Sequence, residues 1–201
     1  MILPVVVYGD PVLRKVGAEI GADYPELSKI IADMFDTMYA AKGVGLAAPQ
    51  VGKAIRLFIV DTTPFSVIDE DDEEDSEYTK EELAELNGFK RIFINARILN
   101  ETGKEWKFNE GCLSIPKVRE DVSRKGEIVV EYQDENFKTH KETYKGLRAR
   151  VIQHEYDHIE GKLFTDRISA IRRKLISGKL NDISNGKISA DYKIKVFSGK
   201  K

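Results

Sequence analysis

The chain has 201 residues, 41% of them hydrophobic and 33% charged, and its formal net charge is −2. This composition is typical of a folded domain with a real core, and we expect residues 1–201 to form a single domain. No apolar run approaches the roughly 20 residues that a membrane helix needs, which excludes a membrane-spanning protein.

The start of the chain and its cysteine content predict a location. The first ten residues, MILPVVVYGD, contain no basic region and no small-residue cleavage site. One cysteine cannot form an internal disulfide, which suits a reducing compartment, so we expect a cytoplasmic protein. Residues 69–77 carry eight acidic side chains. The remainder is therefore mildly basic, which is too weak a signal to predict nucleic-acid binding.

Helix and strand signals alternate through the first part of the chain. Residues 4–17 read as a short extended run that turns at residues 9–11. Apolar side chains three and four apart predict a helix over residues 24–42, with Gly43 as its C-cap. Residues 55–61, IRLFIVD, predict a strand because they form a short apolar run with β-branched members.

An acidic insertion of about residues 65–88 interrupts the strand signals. We expect its centre, residues 69–77, to be a solvated mobile loop, because dense like charges repel one another. A capping-box pattern predicts a short helix over residues 80–87. Strand character returns over residues 91–100, so this segment reads as an insertion within one domain.

Residues 127–133 and 138–144 predict two antiparallel strands joined as a hairpin. We expect His140, among polar neighbours on the second strand, to face solvent without a role. Residues 164–180 suggest a further helix, continuous or broken at Gly178, whose basic residues 172–174 form a solvated face.

The C-terminal tail, about residues 181–201, extends beyond these elements. It contains an Asn-Gly pair at residues 185–186, which is a hairpin signal. The last residues alternate as a strand does. We assign no function to this tail from its sequence.

The pattern His-Glu-x-x-His occurs at His154, Glu155 and His158. On a helix, positions four apart share one face and lie about 6 Å apart along the axis, so the two imidazoles can hold one metal ion. The adjacent carboxylate can take a proton from water on that ion. From this pattern alone, the alternative is an ordinary amphipathic helix that happens to carry two histidines.

A third ligand is needed, because a catalytic zinc-type site uses three protein ligands and keeps one position open. The metzincin extension would place a histidine at position 164, which is Phe164, and no glutamate follows Glu160. Cys112 is the best candidate, since a thiolate binds Zn²⁺ or Fe²⁺ well. Residues 109–119 read as an irregular or edge segment, although a lone cysteine is more often a small buried residue. The other candidates are His140, Asp166, Asp182 and Asp191.

Residues 43–50, GVGLAAPQ, have little side-chain bulk. Such a segment lets a substrate backbone approach closely, and Gln50 is an amide able to donate to an oxygen. The alternative is a tight loop between a helix and a strand.

Three blocks together resemble the signature motifs of the peptide deformylase family, in the family's order. They are residues 43–50 (GVGLAAPQ), 110–114 (EGCLS) and 154–158 (HEYDH). The resemblance spans about residues 2–175. It implies an α+β fold in which antiparallel strands surround a central metal-binding HExxH helix. It also implies a bacterial cytoplasmic enzyme that removes the formyl group from N-formylmethionyl peptides of newly made proteins.

The resemblance also implies roles for matching residues. Cys112, His154 and His158 would bind one divalent ion, commonly Fe²⁺, with Zn²⁺, Ni²⁺ or Co²⁺ as substitutes. Glu155 would take the proton of the attacking water and pass it to the departing amine.

Substrate contacts follow from the same resemblance. The Gln50 side chain and the Leu113 backbone N–H would donate to the developing oxyanion. The methionine side chain would occupy an apolar pocket near Val44, Ile152 and His154, and the Gly45 backbone would hold the substrate as an added strand. Arg150 stands where an apolar residue is common in the family, and Lys117 where an acidic residue is common. The resemblance therefore does not predict the outer rim of the pocket.

Two other classes compete with this interpretation. One is an HExxH metallopeptidase with a carboxylate such as Asp166 as third ligand, and the other is a module with a structural metal site. Basic residues 172–174 and the lysine-rich tail could contact the ribosome transiently, although a solvated surface is the simpler interpretation. We expect no membrane partner and no specific nucleic-acid partner.

Overall fold

The structure is a computed structural model that describes residues 1–66, 84 and 86–199. The helices of the described residues are α1 Leu27–Ala40, α2 Thr63–Ser66, α3 Gly146–Ile159 and α4 Ala170–Ser184. The strands are β1 Val5–Val6, β2 Gly45–Ala47, β3 Leu57–Asp61, β4 Lys90–Cys112, β5 Ile115–Gln133, β6 Thr139–Lys145 and β7 Ile194–Lys195. None of these helices is long and apolar enough to cross a membrane.

The larger sheet of the described chain has the order β2-β3-β4-β5-β6 with antiparallel neighbours throughout. Its longest pairing joins β4 to β5 from Ile94↔Gln133 to Cys112↔Ile115, with several irregularities in register. Along β5 buried and exposed residues alternate, as expected of a strand with one covered face. Leu113 and Ser114 form the short turn that closes this hairpin.

Strand β3 lies between helices α1 and α3 and packs against both. All five of its residues are buried. Phe58 and Val60 pack with α3, whereas Leu57 and Ile59 pack with α1. Because successive side chains of a strand point to opposite faces, a continuous apolar run is the sequence of a strand covered on both sides.

The ends of α1 and α4 differ from the sequence predictions. Gly43 is not the C-cap of α1, because the left-handed residue is Lys42 (φ 54°) and the Gly43 N–H reaches the Met38 carbonyl at 2.9 Å. The Asn-Gly hairpin prediction is wrong: α4 runs through Gly178 to Ser184, and Gly186 (φ 71°) terminates it. Asn-Gly favours left-handed backbone, which helix ends need as much as hairpin turns do.

Several other predictions can be compared with the structure. The strands over residues 91–100 and 127–133 are confirmed as parts of longer strands. The strand predicted over residues 138–144 is confirmed with a shift of one residue, as Thr139–Lys145. His140 does not simply face solvent, because it stacks on Tyr132 and its Nε2 lies 2.7 Å from the Asp134 carboxylate. The predicted acidic loop over residues 69–77 lies outside the described residues, as does most of the predicted helix over 80–87.

The basic residues of α4 are exposed, as predicted, but two of them are also bonded to neighbouring elements. Arg172 donates to Glu120 at 2.8 Å, and Arg173 donates to the Thr165 carbonyl at 2.9 Å. They therefore help to dock α4 against the rest of the fold.

Candidate metal centre

The α3 helix and the end of β4 bring three possible metal ligands together. His154 and His158 lie one turn apart on α3, with ring centroids 5.2 Å apart. Cys112 approaches from the last position of β4, and its Sγ lies 3.3 Å from His158 Nε2. One ligand atom from each of the three residues lies within 4.8 Å of the other two. Over residues 1–66, 84 and 86–199 this is the one such cluster found.

The surroundings of Cys112 partly match the expectation from sequence. The sequence predicts an irregular or edge segment here; β4 is an interior strand, so the irregular alternative applies. The register shifts between Gly111 and Cys112, and such an irregularity can redirect a side chain out of the ladder.

Two other candidate third ligands are occupied elsewhere. Asp166 pairs with Arg14 and accepts from the Leu163 N–H at 2.9 Å. His140 is held by Asp134 in the β5–β6 hairpin. Neither belongs to the cluster around His154.

The donor set fits a divalent transition-metal ion. A thiolate with two imidazoles is a set that Zn²⁺ and Fe²⁺ bind well. Burial raises the pKa of the Cys112 thiol, but His158 and His154 outweigh burial and bring that pKa down to about 5. Glu110 Oε2 lies 2.9 Å from His154 Nδ1, which leaves Nε2 of that ring for a ligand.

A buried ion network fixes these groups. Arg124 donates to Glu110 Oε1 and to Asp157 Oδ2, both at 2.7 Å, and thereby joins β4, β5 and α3. Arg150 also donates to Glu110, at 3.0 Å, and Arg167 pairs with Asp157 at 2.5 Å. Burial raises the pKa of Glu110, but hydrogen bonds from Arg124 and His154 outweigh it, so the net pKa is lowered and the carboxylate stays charged.

Sequence reasoning missed this network. Its partners lie on different elements, and no local pattern joins Arg124 to Glu110 or to Asp157. Arg150 and Lys117 both line the cleft, in agreement with the sequence prediction. Arg150 is nevertheless only 1% exposed and also donates to the carbonyls of Val122 and Trp106, which sequence reasoning did not predict.

Glu155 is suited to proton transfer. It is 4% exposed, and its Oε2 has no hydrogen-bond partner among the described residues. Burial raises the pKa of this carboxyl to about 7 although the two histidines oppose the shift. A group with such a pKa can both accept and release a proton near neutral pH.

Gln50 and Leu113 both adjoin Cys112. The Ala47 N–H donates to Gln50 Oε1 at 2.8 Å, which turns the amide nitrogen toward Ser114 Oγ at 3.2 Å and Cys112 Sγ at 3.5 Å. The Leu113 N–H makes no hydrogen bond within the described ranges of the chain, so it is available as a donor beside the cluster. The Gln50 amide already has partners, but its contact with the Cys112 sulfur is long.

These residues border one cleft of about 430 Å³. Among the residues predicted from sequence, its walls include Val44, Gly45, Gln50, Cys112, Leu113, His154 and Glu155. The C-terminal tail contributes Ala190, Asp191 and Tyr192 to the same walls. Of these, sequence reasoning considered only Asp191, as an alternative metal ligand, and it does not belong to the cluster. Nothing in the sequence of the tail indicates which surface it covers.

The chain was compared with known proteins. The sequence profile of the family described as polypeptide deformylase matches residues 2–174. A peptide deformylase from Flavobacterium psychrophilum is 59% identical over 201 residues, which is 100% of both proteins. One from Flavobacterium johnsoniae is 57% identical, over 100% of this chain and 99% of that protein. The crystal structure of peptide deformylase from Thermus thermophilus matches with a TM-score of 0.76 and 34% identity, over 92% of this chain and 99% of that one. This chain therefore belongs to the polypeptide deformylase family.

Proposed function

We propose that the cleft around Cys112, His154 and His158 is where this chain removes the formyl group from N-formylmethionyl peptides. The family assignment makes the chain a deformylating hydrolase. The observation that supports this site is the convergence of the three ligand-type atoms beside a buried carboxylate with a spare oxygen. We take residues 1–201 as one catalytic domain with an insertion and a tail.

In this proposal Cys112, His154 and His158 hold one divalent ion. We favour Fe²⁺, with Zn²⁺, Ni²⁺ or Co²⁺ as substitutes. Such an ion acts as a Lewis acid and lowers the pKa of water.

The protein groups then divide the reaction between them. Glu155 accepts a proton from the attacking water and delivers it to the amine as the C–N bond breaks, so the products are formate and a peptide with a free N-terminus. Gln50 Nε2 and the Leu113 N–H donate to the formyl oxygen as negative charge develops on it.

The substrate peptide is proposed to bind along β2. This strand is at the edge of its sheet, so its outer side can pair with an extended chain. Gly45 lies on this strand, directly against Glu155. Val44 is proposed to contact the methionine side chain at the adjoining apolar wall.

The location and the partners of the chain are also proposals. We propose a bacterial origin, which agrees with the bacterial relatives. We also propose a cytoplasmic location. Transient ribosome contact through basic residues 172–174 stays a prediction, with a solvated surface as the simpler alternative. Salt-sensitive co-sedimentation with ribosomes would support contact, because phosphate contacts weaken steeply with salt.

The experiment for the site is Glu155→Gln, which keeps the shape of the side chain and removes the base. Formate release is expected to fall at least about a hundredfold while bound metal stays at the parent level. Glu160→Gln is the matched control, since Glu160 follows the same helix and pairs with Arg56 at 2.7 Å. Unchanged formate release by the Glu155 variant would refute the assigned role and favour a structural metal site.

A further inference from the structure

The tail returns to the active site after α4. Strand β7 pairs in parallel with β1, with Val5 opposite Ile194. The pairing is held by bonds from the Val5 N–H to the Lys193 carbonyl at 2.8 Å and from the Val7 N–H to the Lys195 carbonyl at 3.1 Å. This small sheet fixes the position of the residues just before β7, which line the cleft.

Two residues that flank the β1–β7 pair, Tyr8 and Tyr192, bind the two carbonyls of the turn that follows Cys112. The Tyr192 hydroxyl donates to the Leu113 carbonyl at 2.8 Å. The Tyr8 N–H donates to the Ser114 carbonyl, also at 2.8 Å. These two bonds lock successive peptide groups of the turn.

The orientation of that turn matters for the proposed chemistry. The Leu113 N–H follows directly on Cys112 and is free of internal bonds in the described part of the chain. Without the bond to the Leu113 carbonyl, only the Cys112–Ile115 pairing and the bond to the Ser114 carbonyl would restrain the turn, and the peptide group between Leu113 and Ser114 could rotate. The bond from Tyr192 restrains that peptide group, which adjoins the Leu113 Cα on the side opposite its N–H.

We propose that Tyr192 is a positioning residue for deformylation: its hydroxyl holds the Leu113 turn so that the Leu113 N–H points at the formyl oxygen. This inference rests on the proposed function. Tyr192 itself need not touch the reacting atoms. Because an oxyanion donor acts mainly in the transition state, a misaligned donor lowers kcat more than it changes KM.

The test is Tyr192→Phe, which removes the hydroxyl and keeps the ring. We expect kcat for a formyl-Met tripeptide to fall about tenfold, a fraction of the loss of a whole oxyanion donor, with KM and metal content unchanged. Hydrogen exchange of the Leu113 amide, followed by NMR, is expected to be faster in the variant. Tyr39→Phe is the control, since it also loses a tyrosyl hydrogen bond, to Asp61 at 2.6 Å, away from the cleft.

The outcomes separate the two proposals. Parental kcat and parental Leu113 exchange in the Tyr192 variant, with the parent active, would overturn the positioning role alone. Loss of bound metal in that variant would also overturn it, because Tyr192 would then support the metal centre generally. A parent protein that binds metal but releases no formate would overturn the proposed function as well.

Discussion

At the scale of single residues, the site depends on two polar side chains held in different ways. Gln50 is oriented by a backbone bond from Ala47, so its amide nitrogen faces the cleft. Glu155 is held by burial and keeps one oxygen without a protein partner in the part of the chain that is described. The first is thereby a fixed donor and the second an available base.

Replacing Gln50 by alanine removes one proposed oxyanion donor. Turnover is expected to fall by about a hundredfold or more, since such donors typically contribute roughly 2.7–4 kcal/mol to barrier lowering. Metal content should be unchanged, as measured by elemental analysis beside formate release. Gln133→Ala, which truncates an amide bonded to Asn95 instead, is the control. Normal turnover by the Gln50 variant would exclude the role.

Gly45 is a residue whose size is dictated by its neighbour. A Cβ at this position would lie 2.7 Å from Glu155 Cγ, so the buried Glu155 side chain or the β2 backbone would have to shift. Gly45→Ala is expected to destabilise the fold by about 1–3 kcal/mol and to displace the carboxylate that we propose as the base. Urea unfolding and formate release measure the two effects.

Gly178 provides the matched comparison for Gly45. It lies within α4, and a Cβ there would meet nothing within 4 Å. Gly178→Ala should therefore stabilise the protein by about 0.5–1 kcal/mol without changing turnover. Equal stability changes in the two variants would contradict the close packing of Gly45 on Glu155.

At the scale of elements, α3 is tied to the β4–β5 hairpin by charge as well as by apolar packing. Arg124 is 3% exposed and bridges Glu110, which orients His154, to Asp157 on the helix itself. Removing the cation takes away a partner that the two buried carboxylates share, and leaves Glu110 with Arg150 and Asp157 with Arg167. The position of the ligands consequently depends on a residue that contacts none of the reacting atoms.

Arg124→Ala is expected to cost about 3–5 kcal/mol of unfolding free energy, because it removes a buried cation that two buried carboxylates share. It should also weaken metal binding by about tenfold to a hundredfold, as loss of outer partners typically does. Chemical denaturation and metal competition measure these two quantities. Arg97→Ala, which breaks the exposed pair with Glu19, should change neither. Similar behaviour of the two arginine variants would refute the network's role.

The elements also show where sequence reasoning succeeds and where it stops. The spacing of apolar residues predicted α1, and a short apolar run predicted β3. Both predictions succeed because the buried positions of a helix or strand are occupied by apolar residues at a characteristic spacing. The length of β4 was not predictable, because residues 101–107 are mostly exposed and polar and are strands only through pairing with β5. The Asn-Gly pair gave a wrong prediction because the left-handed backbone conformation that it favours occurs both in hairpin turns and at helix ends.

At the scale of the whole molecule, the fold joins residues that are distant in sequence. Motif spacing pointed to His154 and His158, ligand chemistry favoured Cys112, and family resemblance added the roles of Gln50 and Leu113. The Glu110–Arg124–Asp157 network and the contact of Tyr192 with Leu113 are products of tertiary packing alone. No local pattern encodes either contact, so both required the structure.

The central claim is that this chain hydrolyses the formyl amide at the metal centre of Cys112, His154 and His158. The most direct measurement is formate release from a formyl-Met tripeptide by protein purified without oxygen, with its metal content determined. We predict about one bound divalent ion per chain, formate as product and an intact peptide chain. Bound metal without formate, or cleavage between amino acids, would contradict the account.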